Sequence, residues 1–295
     1  MSQKLFGTGM VALSAAGFAT LPIFMKFAFD AGANSLTILG FRFILASFIL
    51  WSIIVISQRS FHLPTKQIIQ LCLMGAIGYG TMSFLYAITV EILPASLAAM
   101  LLYAYPALVA VMSFLIGDEM ISWKRVVALL ICFSGLALIL GITISEVKIM
   151  GLMTGLGAAF VYSCYIVIGN RILKHVDSLV ATTYVCTSAG IIFIIIGISS
   201  GSLIITLPLF GWMALLGIAI LATIVGILGF FVGITRIGAA NASIISTLEP
   251  VVTVGLSVLL LGDTLSALQI IGGILIIAGV IIIQLWGHSP DPDQA

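Results

Sequence analysis

Residues 239–261 read AANASIISTLEPVVTVGLSVLLL, a run of 23 residues with a single charge, Glu249, and a proline directly after it. A run this long and this apolar fits a membrane span better than a soluble core helix. At about 1.5 Å per residue Glu249 falls roughly 15 Å inside, near the bilayer midplane. A charge there costs several kcal/mol unless it is protonated, solvated or paired. Pro250 removes one helical hydrogen bond beside it and is expected to free the carbonyl four residues back, that of Ser246. The pattern occurs twice. Residues 94–116 place Tyr105-Pro106 at the matching depth, with Pro106 expected to free the carbonyl of Leu102. An acidic turn follows each run, Gly117-Asp118-Glu119 in one and Gly262-Asp263 in the other.

The remaining sequence obeys the same constraint. Charged residues make up 7% of the chain and hydrophobic ones 62%, against about 25% charged in ordinary globular domains. That leaves too little polar surface for a soluble protein of this length. The apolar runs predict an all-α, polytopic membrane protein with ten transmembrane helices. They cover 5–28, 36–57, 67–89, 94–116, 124–142, 149–169, 178–198, 210–233, 239–261 and 267–285. The first run is longer than a secretory leader's apolar region and reads as a retained span. The uncharged link at 201–208 is itself apolar and suits the membrane interface. The tail 287–295 is polar.

Basic residues set the expected orientation. With the N-terminus in the cytoplasm, Lys4, Arg59, Lys66, Lys124, Arg125, Arg171, Lys174 and Arg236 are all cytoplasmic and Lys148 is external. This bias places both termini inside a multi-pass protein of the cell inner (plasma) membrane.

Two halves built on one plan explain the recurrence. Pro106 and Pro250, Ser122 and Ser266, and Gly135 and Gly279 all stand 144 residues apart, and the two Gly-Asp turns stand 145 apart. The expected domains are a first repeat, 1–142, a second repeat, 149–286, and a cytoplasmic tail. Five spans per repeat is an odd number, so the second copy is inverted, as in many alternating-access transporters.

On these residues the chain resembles the EamA-type drug/metabolite transporters. The likeness covers about 5–286. It rests on the ten short spans, Phe41-Arg42-Phe43 opening the second, Glu249-Pro250, and the endings PALVAVMSFLIGDEMISWKRVVALLICFSGLALI and EPVVTVGLSVLLLGDTLSALQIIGGILIIAGVIII. The first repeat departs by carrying Tyr105 where the second carries Glu249. The resemblance implies secondary export of small metabolites, amino acids or related zwitterionic solutes first.

Candidate substrate-binding or coupling residues follow from burial cost and chemistry. Glu249 either faces a polar site, binding a cationic group or a proton, or is a structural carboxylate bonded to hydroxyls. Arg42 either attracts a substrate carboxylate or reaches the outer head groups or Asp30. Lys26 is nearer the surface and suits snorkelling. Tyr79, Tyr105 and Tyr162 each offer an aromatic face and one hydroxyl near the middle of a span, for a small-molecule pocket or for an interhelical hydrogen bond. Pro106 and Pro250 are helix-break devices. Asn241 suits a packing hydrogen bond. Gly151 with Gly155, and Gly229 with Gly233, suit close helix crossings.

Other classes find little support. No basic patch points to nucleic acid, and no phosphate-binding loop or metal spacing occurs, so neither metal nor cofactor is expected. The four cysteines, 72, 132, 164 and 186, lie in apolar runs as small buried side chains. The expected partners are a small-molecule substrate and the lipid bilayer, with possible proton coupling. The competing reading, a membrane-embedded enzyme acting on a lipid or prenyl substrate, lacks the clustered acidic, basic or histidine residues such chemistry uses.

Overall fold

The computed structural model describes residues 3–92, 101–118, 122–140, 148–261 and 266–286. The Pro94 turn, the Thr143 end of the link between repeats, the Gly262-Asp263 turn and the polar tail lie outside the described residues. All regular elements among the described residues are helical. Seven helical stretches are long and apolar enough to cross a membrane: Gln3–Asp30, Ser35–Ile56, Thr65–Tyr86, Ile149–Ile172, Ser178–Ser199, Leu209–Ile237 and Ala239–Leu260. Tyr105–Leu115 and Ala267–Ile282 are shorter apolar helices, and Trp123–Leu140 is a further helix of 18 residues.

Three of these paths break, each just before a proline. Gln3–Ala19 passes through Thr20 into Leu21–Asp30, which carries Pro22 in its first turn. A turn at 103–104 precedes Tyr105–Leu115, with Pro106 in its first turn. Ala239–Ile245 passes through a turn at 246–247 into Leu248–Leu261, with Pro250 in its first turn. Proline is tolerated where a helix starts, because the N–H it lacks has no intrahelical partner there. The break therefore precedes the proline, which corrects the expected site of the freed carbonyl. Ser246 O accepts from Glu249 N at 3.0 Å.

Hydroxyls complete the satisfaction of backbone groups along the broken paths, as apolar surroundings require. Ser163 Oγ donates to Tyr105 O at 3.3 Å, Thr247 Oγ1 to Ile244 O at 2.6 Å, and Thr253 Oγ1 to Glu249 O at 3.0 Å.

Two further helices widen into π-helical turns, Met74–Tyr79 and Ile218–Leu228. Their first residues, Met74 and Ile218, stand 144 apart, the same spacing as the prolines.

Helices meet in antiparallel crossings built on glycine. Gly135 of Trp123–Leu140 and Gly272 of Ala267–Trp286 lie backbone against backbone. A Cβ at Gly135 would stand 2.5 Å from Gly272 O, and one at Gly272 would stand 2.5 Å from Gly135 O. Ser35–Ile56 crosses Ser178–Ser199 in the same reciprocal manner. A Cβ at Gly40 would come within 2.9 Å of Ile194 Cδ1, and one at Gly190 within 2.9 Å of Ile44 Cδ1. Ser47 and Thr187 share a 2.6 Å hydrogen bond across this crossing. Gly229 and Gly233 seat the Gly229–Ile237 helix on Met10, Val11 and Ser14, while Gly155 faces Thr89 and Leu101.

The apolar 201–208 link is tied to one helix end. Asn34 Nδ2 donates to Ser202 O at 2.6 Å, and Ile204 N donates to Thr37 Oγ1 at 2.9 Å.

Candidate functional site

The breaks at 103–104 and 246–247 bring the two halves' special residues together. Glu249, half-buried, stands in the first turn of Leu248–Leu261, within electrostatic reach of Tyr103 and Tyr105. Each broken helix thus lies near the break of the other. Tyr86 and Tyr162 lie within electrostatic reach of Glu249.

From there a continuous aromatic tract runs through the interior. The rings of Tyr103 and Tyr105 are 6.2 Å apart, Tyr105 and Tyr162 4.8 Å, Tyr162 and Tyr165 6.0 Å, and Tyr165 and Tyr79 5.7 Å. Tyr79 meets Phe43 edge-on at 5.4 Å. Such edge and offset contacts suit the quadrupoles of the rings and hold their hydroxyls in fixed directions.

Arg42 closes the far end. Its Nε donates to Thr223 Oγ1 at 3.1 Å, its guanidinium lies 4.6 Å from the Phe43 ring centroid, and it lies within electrostatic reach of Tyr79. Tyr79 ends the first π-helical segment and Thr223 lies within the second. Thr223 Oγ1 also donates to Ile218 O at 3.0 Å. Arg42 is 2% exposed. It therefore neither reaches the head groups nor pairs with Asp30, which is exposed. This corrects two of its three sequence readings. Lys26 is exposed, as snorkelling requires.

All five residues singled out from the sequence, Glu249, Tyr105, Arg42, Tyr79 and Tyr162, lie on this one tract or at its ends. Tyr103, Tyr165 and Thr223 belong to it and were not anticipated. Tyr165 carried a readable signal, since three residues after Tyr162 it shares that helix face. Asn241 makes the expected packing bonds, accepting from Arg125 Nε at 3.2 Å and donating to Ile237 O at 2.8 Å. Among the described residues no cluster of His, Cys, Asp or Glu could hold a metal ion.

The EamA-like transporter family model matches this chain twice, over residues 5–141 and 149–285. The chain belongs to that family. It is a multi-pass membrane transporter of small metabolites or drugs, not an enzyme. Relatives include the uncharacterized transporter YcbK of Bacillus subtilis, 27% identical over 90% of this chain and 88% of its own length. A probable amino-acid metabolite efflux pump of Salmonella typhimurium is 26% identical over 84% of each chain. The threonine/homoserine exporter RhtA of Salmonella typhimurium is 28% identical over 70% of this chain and 68% of its own. A solved crystal structure matches with a TM-score of 0.80 at 18% identity, covering 97% of this chain and 98% of that one, a likeness of fold.

Proposed function

We propose that this protein exports small zwitterionic solutes, amino acids first, by alternating access of two inverted five-span halves. The observation that carries this reading is the tyrosine tract with a carboxylate at one end and a guanidinium at the other. A guanidinium suits a solute's carboxylate, a carboxylate suits its ammonium group, and the tyrosines suit an apolar or aromatic side chain. The likeness to a probable amino-acid metabolite efflux pump and to a threonine/homoserine exporter supports the solute class. The double family match and the reciprocal glycine crossings support the inverted halves. The positive-inside bias supports cytoplasmic termini in the plasma membrane.

In this reading Glu249 holds either the solute's ammonium group or a proton, and the exchange of one for the other couples export to proton entry. Tyr103 orients the carboxylate through its hydroxyl. Substitution Glu249→Gln keeps the shape and the hydrogen-bonding capacity while removing the charge and the titration. In proteoliposomes with an imposed pH gradient, wild type is expected to drive net amino-acid flux, and the correctly inserted Gln variant is expected to lose the gradient-driven part. Equal gradient-driven flux in the two proteins would sink the coupling role.

A further inference from the structure

Arg42 is a buried charge that lacks an opposite charge. Among the described residues Arg59 pairs with Asp177 and Arg171 with Asp118, and no carboxylate joins Arg42. The ionisable groups that feel its field are Tyr79 and Cys186, both neutral when protonated. Burying a guanidinium costs several kcal/mol unless an anion and full hydrogen bonding offset it.

The hydrogen bonding of the fork is incomplete. Thr223 Oγ1 accepts from Nε and Phe43 covers a face. Nη2 is buried and has no partner. The fork is thus held at Nε from the second π-helical segment while its Nη2 edge stays unused. A carboxylate is the group that fits such an edge, because guanidinium donors match carboxylate geometry and the bond is strengthened by charge.

We propose that Nη2 of Arg42 is the docking point for the substrate's own carboxylate, with Thr223 as the positioning residue. This rests on the transport reading above and sharpens it: the substrate class carries a carboxylate, and the matching amines lacking one are rejected.

Two measurements on the purified, full-length protein test this. The first is thermal unfolding in low-salt detergent buffer with benzoate, with its neutral isostere benzamide, and with chloride at the same concentration. Benzoate is expected to raise the midpoint of wild type and benzamide to leave it unchanged. Arg42→Gln should abolish the benzoate shift. Arg42→Lys, which keeps the charge without the fork and guards against misfolding of the Gln variant, should weaken it about tenfold in half-saturating concentration. Thr223→Val should weaken it in the same direction while leaving the unliganded midpoint within a few degrees. A benzoate shift that is absent in wild type, or equal in wild type and Arg42→Gln, overturns the site. A shift reproduced by chloride and lost in Arg42→Gln makes the anion an inorganic one and overturns the substrate assignment.

The second measurement is flux of phenylalanine against phenethylamine in proteoliposomes. Wild type is expected to move the amino acid alone, and Arg42→Gln to lose it at least tenfold. Unchanged phenylalanine flux in that variant removes the site and leaves the transport reading standing. Arg42-dependent benzoate binding without flux of either solute does the reverse.

Discussion

Two tyrosines of the tract make opposite predictions when their hydroxyls are removed. Tyr103 lies within electrostatic reach of Glu249, and in the transport reading its hydroxyl steadies the carboxylate; a hydrogen bond to a charged group contributes about 1.5–3 kcal/mol. Tyr103→Phe is expected to lower amino-acid flux about tenfold with normal insertion. Tyr165 is 4% exposed and its hydroxyl has no partner, so Tyr165→Phe removes an unpaid desolvation cost. It should leave the unfolding midpoint unchanged or raise it; a fall of several degrees would show that the hydroxyl has a partner. The sequence made Tyr79, Tyr105 and Tyr162 legible, because each stands near the middle of an apolar run. Tyr103 was hidden by helical geometry. Two residues apart on an intact helix point to nearly opposite sides, and Tyr103 and Tyr105 share a site because the helix turns between them. The partners of Arg42 were hidden for another reason. Thr223 is 181 residues away, and no local pattern links it to Arg42.

At the scale of elements, the prolines announced that helices break, but the breaks fall before them. The π-helical segments had no signature: MGAIGY and IAILATIVGIL read as ordinary apolar helix. Their widened turns are what set Tyr79 and Thr223 at the guanidinium. π-Helical turns occur often at functional sites, yet the feature belongs to packing rather than to composition. Helix crossings were easier to read, since paired small residues forecast close approach. The crossing of Trp123–Leu140 with Ala267–Trp286 offers a reciprocal test. A methyl group at Gly135 or at Gly272 would meet a carbonyl oxygen, which cannot retreat as a flexible side chain can. Gly135→Ala and Gly272→Ala are each expected to cost about 1–3 kcal/mol, read as a lower unfolding midpoint and reduced yield of folded protein. Gly255→Ala, where a Cβ meets nothing within 4 Å, is the control and should be tolerated.

For the whole molecule, membrane residence and helical class were legible because so few charges cannot cover a soluble surface. Orientation is the prediction that belongs here. In a background lacking Cys72, Cys132, Cys164 and Cys186, a cysteine at Ser60 and one at Gly287 should be shielded from a membrane-impermeant thiol reagent in intact cells, and one at Ser202 should react. A reactive Gly287 site would break the ten-span count, and a shielded Ser202 site would break the inversion. The seam at Gly135 and Gly272 has a mechanical consequence. The facing carbonyl oxygens leave these two helices no room to approach, and Ile139, Ile276 and Cys132 interlock beside the glycines, so sliding or swivelling would have to displace them. The last helix of one half and the last helix of the other are therefore expected to travel as one piece during transport, with the rearrangement falling elsewhere.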